Sequence, residues 1–225
     1  MRKILNALSK VRVLDIDKAI NIFGVSFSDI NSHPIVATLM EYRSNPALKY
    51  QESQLYRYHT EFCPNDTFQA FNINASHGDL PLFVYPWGAF RKNYNEDKDV
   101  TKSRFCGPSS DDFILHEFNH IISLYESILS NGYSILKWAN VLAGTYLIDR
   151  SGQYRFVVLQ GNHRISVLAA LGKTKVLVRT MPGYCEKVEE IKSNNWENVV
   201  NGRCEIAMAE QIFSQFFDKE NSSRN

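Results

Sequence analysis

Residues 156–165 read FVVLQGNHRI, and this stretch decides the fold. Four apolar residues typical of a buried strand lead through Gln160 to a glycine, and a short apolar helix pattern begins at Ile165. The first amides of a helix have no partner within that helix. Their partial positive charge makes such a turn a natural site for a phosphate or another anion.

The side chains of this turn suit the same ligand. Gly161 lets a ligand approach the backbone closely, and Arg164 offers a permanently charged, bidentate donor. His163 can donate to a phosphate oxygen or transfer a proton. Spacing alone also fits a plain strand-to-helix turn with Arg164 in a surface salt bridge and His163 in the core. Residues 161–164, including Asn162, are therefore the candidate phosphate-binding residues.

A long amphipathic helix is predicted upstream of the turn. Ser109 or Ser110 can cap it, and two aspartates follow where the helix dipole favours negative charge. Asn131-Gly132 is a typical helix end. Apolar residues recur at helical spacing at Ile114, Phe118, Ile121, Tyr125 and Ile128.

Strands are predicted over residues 141–148, 154–159 and 175–179, with the helix after Gly161 ending at Gly172. The sequence therefore indicates an α/β (α+β) domain over residues 105–182. Residues 1–104 form an irregular, aromatic-rich N-terminal extension, in which residues 11–16 alternate as a half-buried strand does. Residues 93–102 are predicted to be an exposed charged loop. Residues 183–225 form a tail with one helix over 204–217 and a polar end at 219–225.

Composition narrows the class of protein. The chain has 225 residues, 44% of them hydrophobic, and a net charge of +1 from 25 basic and 24 acidic residues. This balance argues against a protein that holds DNA by neutralising its phosphates. The four cysteines are scattered and include no C-x-x-C pair, which disfavours a zinc site and fits a reducing cytoplasm. No signal peptide or membrane span is predicted, and no metal-ligand cluster stands out.

Residues 127–179 resemble the ParB N-terminal and sulfiredoxin superfamily. The motifs that carry the resemblance are Ser127-Ile128 with Asn131-Gly132, then Gly161-Asn162-His163-Arg164, then Ala170-Leu171-Gly172. Members of this superfamily bind nucleotides at the glycine turn. The resemblance therefore implies a nucleoside triphosphate, ATP or CTP, with Mg²⁺.

The turn varies within that superfamily. ParB-like proteins carry a G-E-R-R type turn and bind CTP, sulfiredoxins carry G-C-H-R, and free-serine kinases carry a D-G-H-H-R type turn. Asn162 stands where sulfiredoxin has its catalytic cysteine, and an amide cannot replace a thiolate. His163-Arg164 is similar to the turns of the small-molecule kinases and of sulfiredoxin.

The resemblance to the serine kinases also singles out Glu117, because they use a glutamate near the upstream helix as a base. A carboxylate here can deprotonate an acceptor alcohol. The alternative is a solvated helix face, since Glu117 lies off the apolar stripe. His120 is a candidate support residue at i+3 from Glu117.

The N-terminal region and the tail also resemble poorly characterised bacterial ParB-like proteins associated with surface-polysaccharide gene clusters. The motifs are Pro86-Trp87-Gly88, FCGPS at 105–109 and WENVVNG at 196–202. This resemblance implies a sugar or sugar-nucleotide setting, in which Trp87 can stack on a ring. Trp87 fits a core position equally well.

We therefore expect a cytoplasmic, nucleotide-dependent phosphotransferase that acts on a hydroxylated small molecule, with a homo-oligomer allowed. Glu117 and His163 are the candidate catalytic residues, and Ser109, Ser110, His120 and Trp87 are possible substrate or support residues. One alternative is a non-catalytic CTP- or ATP-binding switch of the ParB type. A DNA-binding or nuclease-like protein is disfavoured by charge and by the lack of a helix-turn-helix pattern.

Overall fold

The computed structural model describes residues 11–74, 78–91, 105–134, 141–180 and 183–218. Within these residues a mixed β-sheet carries α-helices on one face and an aromatic layer on the other, which confirms the mixed α/β class. The charged loop predicted at 93–102 and the polar end predicted at 219–225 lie outside the described residues.

Strand pairing in the sheet follows the order β1-β5-β3-β4-β2, and β6 pairs with β3. β3 and β4 form an antiparallel hairpin, as predicted. β5 runs parallel to the first residues of β3, and β6 runs parallel to its last residues. The strands are β1 Arg12–Asp15, β2 Ala19–Ile20, β3 Leu142–Ile148, β4 Tyr154–Gln160, β5 Lys175–Thr180 and β6 Lys187–Glu189.

The N-terminal segment is part of this sheet. β1 confirms the strand predicted over residues 11–16 and pairs antiparallel with β5. β2 pairs parallel with β4 at the opposite end of the strand order. The sheet therefore crosses the predicted boundary between residues 104 and 105, and the three-part division of the chain stays a prediction.

Helix ends follow the expected local chemistry. Pro34 stands at the first position of α1, where its missing N–H costs nothing. Ser110 caps α4 by accepting from the Phe113 amide at 3.3 Å, and Gly132 ends that helix at a φ of 73°. The α-helices are α1 Pro34–Ser44, α2 Gln54–Glu61, α3 Thr67–Ala70, α4 Asp111–Asn131, α5 Asn162–Ala170, α6 Glu197–Val200 and α7 Ile206–Ser214.

The sheet separates two hydrophobic cores. Along β4, Phe156 and Val158 face a core shared with α1, α2, α4 and α5, whereas Val157 faces the other core. This alternation is the two-residue period of a strand that is covered on both faces. The second core holds α7 and a cluster of aromatic rings from residues 68–90 and 196–216. The predicted C-terminal helix is thus confirmed and lies on the face opposite α5.

None of the described helices is both long enough and apolar enough to cross a bilayer.

Candidate functional site

A cleft of about 620 Å³ opens where β4 passes into α5. One side is formed by residues 159–164, and the facing side comes from the middle of α4. The N-terminus of α1, the helix α2, the loop at residues 21–23 and Phe105 complete the lining. The turn chosen from the sequence therefore faces an open cleft.

Gly161 is required by the shape of this turn. Its φ is +98°, and the first helical hydrogen bond of α5 runs from the Ile165 amide to the Gly161 carbonyl at 3.0 Å. The three amides before Ile165 therefore precede the helical ladder. A Cβ atom on Gly161 would lie 2.5 Å from the Leu142 side chain and 3.1 Å from the Arg164 guanidinium. Any larger residue would disturb both the backbone and the arginine.

Glu117 and His163 form a hydrogen-bonded pair in the cleft. The distance from Glu117 Oε2 to His163 Nε2 is 2.9 Å, with the two side chains 21% and 32% exposed. The hydrogen bond from His163 lowers the pKa of Glu117, with smaller contributions from the charges of His163, His120 and His116, although burial opposes the shift. Glu117 is therefore ionised at neutral pH and can accept a proton or a hydrogen bond.

Two further histidines of α4 stand near this pair. The His120 ring centroid lies 5.0 Å from that of His163, so the structure brings this predicted support residue to the site. His116 Nδ1 lies 3.7 Å from Glu117 Oε1, but its side chain is 78% exposed. The close partner of the Glu117 carboxylate is thus His163 of α5, and His116 and His120 of α4 interact with it less strongly.

The remaining turn residues offer both donors and an acceptor. The Arg164 guanidinium lies beside the Tyr133 hydroxyl; burial raises the pKa of Tyr133 and the arginine opposes that rise. Asn162 Oδ1 is buried and has no hydrogen-bond partner within the described residues. A buried polar atom of this kind is normally satisfied, which points to a ligand or a water at this position.

Sequence reasoning missed two buried histidines that line the cleft, His33 and His59. His33 Nδ1 accepts from the Val36 amide at 3.4 Å and so caps α1. His59 Nδ1 lies 2.9 Å from Ser109 Oγ, which gives this predicted support residue a role in orienting the ring. The His33-Pro34 pair was a usable signal for a helix start, but no local pattern placed either histidine at the site.

Burial lowers the pKa of His33 to about 3 and that of His59 to about 4. For His59 the charge of Glu117 acts in the opposite direction, and it is the smaller effect. Both rings are therefore neutral at physiological pH. Each can donate or accept hydrogen bonds, but neither can neutralise an anion.

The other predicted support residues lie elsewhere. Ser110 is the cap of α4. Trp87 is buried in the aromatic core on the opposite face of the sheet, where it stacks on Tyr85 with centroids 5.1 Å apart and packs edge-on against Phe213. The structure therefore places Trp87 outside the cleft, at the core position that its sequence context also allowed.

Among the described residues, no three histidines, cysteines or carboxylates are placed to hold a metal ion. Glu117 is the carboxylate that the described cleft lining contains. Mg²⁺ typically takes one or two protein carboxylates and completes its shell with phosphate and water. A single carboxylate in the described lining matches the small number of protein ligands that Mg²⁺ needs when phosphate and water supply the others.

Comparison with protein-family models, curated proteins and solved structures found no match to this chain. The structure shows a mixed α/β fold, and the similarity to the ParB and sulfiredoxin superfamily is a resemblance of sequence motifs alone.

Proposed function

We propose that this protein is a cytoplasmic, nucleotide-dependent phosphotransferase of the ParB/sulfiredoxin-like type. A nucleoside triphosphate, ATP or CTP, binds with its phosphates at the N-terminus of α5, and a hydroxylated acceptor binds beside Glu117. The observation that supports this most directly is the shared cleft, which is lined by the hydrogen-bonded Glu117–His163 pair, the Gly161 turn and Arg164.

The turn supplies the phosphate-binding groups. The first amides of α5 and the Arg164 guanidinium present donors to the phosphate oxygens. When protonated, His163 can donate through Nδ1 to a phosphate while Nε2 remains bonded to Glu117. One imidazole thus links the carboxylate to the transferring phosphoryl group.

Glu117 serves as the base in this proposal. The acceptor oxygen attacks the terminal phosphorus in line, and its proton passes to Glu117. The bond from that phosphorus to the bridging oxygen breaks, and a nucleoside diphosphate leaves. The lowered pKa of Glu117 keeps it in the deprotonated form that can take this proton.

Mg²⁺ bound to the triphosphate would offset negative charge on the phosphates during transfer. A sugar in surface-polysaccharide biosynthesis is the acceptor suggested by the resemblance of the N-terminal region and the tail to proteins of those gene clusters.

The test uses γ-labelled ATP and CTP with Mg²⁺ and a panel of sugars and amino acids. We expect label transfer to at least one acceptor by the wild-type protein. Glu117→Gln should lose about 10²- to 10⁴-fold in kcat, the usual loss for a general base. Arg164→Lys keeps the charge but not the bidentate geometry and should raise the KM for the nucleotide.

Asp112→Asn is the matched control, because Asp112 is an exposed carboxylate in the first turn of the same helix. Its turnover should equal that of the wild type. Unchanged turnover in Glu117→Gln would remove the base from the proposal. Nucleotide binding without any transfer would instead identify a nucleotide-gated switch.

A further inference from the structure

Part of the cleft lining outside the phosphate-binding turn differs from that turn in its chemistry. It is formed by six residues that we name the neutral wall: His33, Ile35, Leu55, Tyr58, His59 and Phe105. Within the described lining, none of the residues of this wall is a lysine or an arginine. The cleft thus combines a cationic turn with a wall that carries no charge.

Some of the polar groups of the neutral wall already form hydrogen bonds within the protein. The Tyr58 hydroxyl donates to the Phe105 carbonyl at 2.8 Å. Because His33 Nδ1 accepts from a backbone amide, the proton of the neutral ring resides on Nε2. His59 Nδ1 is bonded to Ser109, so Nε2 is the nitrogen left for a ligand in the cleft. The wall therefore offers imidazole nitrogens in fixed orientations.

His59 stands close to the proposed base. Its ring centroid lies 5.6 Å from that of Phe113, which precedes Glu117 by one turn of α4. The charge of Glu117 also acts on His59. A group bound at His59 would therefore lie within the electrostatic influence of the Glu117 carboxylate.

We propose that the neutral wall binds an uncharged, hydroxyl-bearing acceptor, and that His59, oriented by Ser109, hydrogen-bonds through Nε2 to one of its hydroxyl groups. The inference rests on the proposed function and specifies its acceptor class. An anionic acceptor is disfavoured for two reasons. It would be repelled by the Glu117 carboxylate, and the neutral wall offers no lysine or arginine to pair with its charge, which makes burial of that charge costly. His59 thus acts as a specificity-determining residue.

The experiment compares neutral hexoses with their uronates, which differ by a hydroxymethyl group in place of a carboxylate. Glucose and glucuronate, galactose and galacturonate, and mannose and mannuronate are titrated by calorimetry without nucleotide. We expect saturable binding of at least one neutral hexose and at least 10-fold weaker binding of its uronate. Equal or tighter binding of the uronate overturns the proposal, and so does the absence of binding by every hexose.

Two substitutions of His59 separate ligand binding from a structural role. Asparagine places a polar atom near the position of Nδ1 and retains the contact to Ser109, whereas glutamine places one near the position of Nε2. We expect His59→Asn to weaken hexose binding at least 10-fold and His59→Gln to stay within about 3-fold, less than the effect of one typical hydrogen bond. The reverse order would show that His59 serves only to hold Ser109.

The readouts also distinguish this inference from the proposed function. Hexose binding is measured without nucleotide, so it can succeed even where no phosphoryl transfer occurs. In that case the proposal of an uncharged, hydroxyl-bearing ligand is supported, and the proposal of a phosphotransferase is not. Transfer to uronates in preference to hexoses would instead support the phosphotransferase assignment and overturn the acceptor class.

Discussion

Gly161 combines a left-handed φ of +98° with a close approach to Leu142 and Arg164. Gly172 also has a positive φ, +74°, but a Cβ there would meet no atom within 4 Å. We therefore expect Gly172→Ala to cost about 1 kcal/mol of unfolding free energy, from backbone strain alone. Gly161→Ala should cost about 2–4 kcal/mol, because overpacking adds to the strain.

Urea unfolding of both variants measures this difference, and nucleotide titration should show weaker binding only in Gly161→Ala. Equal stabilities would mean that Leu142 and Arg164 move aside without cost.

The neutral histidines predict acid sensitivity. In the unfolded chain His33 and His59 take up protons near pH 6.5, whereas in the native protein they do so only near pH 3 and pH 4. Between these limits the unfolded state binds more protons, so the free energy of unfolding falls as the pH falls below about 6.5. Each histidine should account for a loss of roughly 2 kcal/mol between pH 6.5 and pH 5.

His33→Asn tests this directly, since asparagine is a favoured helix cap and does not titrate. Urea unfolding at several pH values should show a shallower pH dependence in His33→Asn than in the wild type. His116→Gln is the control, because the His116 side chain is 78% exposed. A pH dependence equal to that of the wild type in His33→Asn would show that His33 takes up its proton at the same pH in the native and unfolded states.

The sequence predicted some of the residues that line the cleft but not others. The Gly161 turn was predicted from a local strand–glycine–helix pattern, whereas Glu117 was predicted from the resemblance to the serine kinases. His33 and His59 were not, because what brings them to the cleft is the packing of α1 and α2 against α4 and α5. Contacts between residues that are far apart in the chain leave no periodic pattern in the amino-acid sequence.

Among the elements, α4 carries Glu117 in its second turn, so its N-terminal cap supports the site. Removing the Ser110 hydroxyl leaves the Phe113 amide without its partner. We expect Ser110→Ala to cost about 1 kcal/mol of unfolding free energy. Ser123 lies exposed in the middle of the same helix, and Ser123→Ala should cost nothing, since alanine favours helix. Chemical denaturation of the two variants measures the difference, and equal costs would contradict a role for the cap.

Most elements were predictable because their patterns are local. The apolar spacing and the caps of α4, the β3–β4 hairpin, α5 and α7 all lie where the sequence indicates. The N-terminal region was predicted to be irregular, yet α1 has 11 residues and ends at Ser44.

At the scale of the whole molecule, Arg155 in β4 connects distant parts of the chain. Its guanidinium donates to the Asp17 carbonyl at 2.8 Å and to the Phe217 carbonyl at 3.2 Å. We expect Arg155→Lys to cost about 1–3 kcal/mol of unfolding free energy, because an ammonium group cannot reach both carbonyls as the guanidinium does. Hydrogen exchange should quicken together near β2 and at the end of α7.

Lys187→Arg, on the exposed surface of β6, is the control for a change of cation type and should leave exchange unchanged. Exchange that quickens at only one of the two places in Arg155→Lys would show that the two carbonyls are held independently.

The arrangement of the sheet could not be predicted from the sequence. A strand at residues 11–16 was foreseen, but its partner β5 lies more than half of the chain away, and β2 has only two residues. Where β1 and β2 pair depends on which edges of the sheet formed by β3, β4 and β5 are left open to another strand. Alternation of apolar and polar residues predicts a strand but does not predict which strand it pairs with.

The placement of β1 and β2 has a consequence during synthesis. Both strands leave the ribosome long before β3, β4 and β5, and at typical elongation rates they wait on the order of ten seconds for their partners. During that interval their backbone groups are open to pairing with other nascent chains. Yield in cells should therefore depend on chaperone supply, even though both strands are paired in the finished molecule.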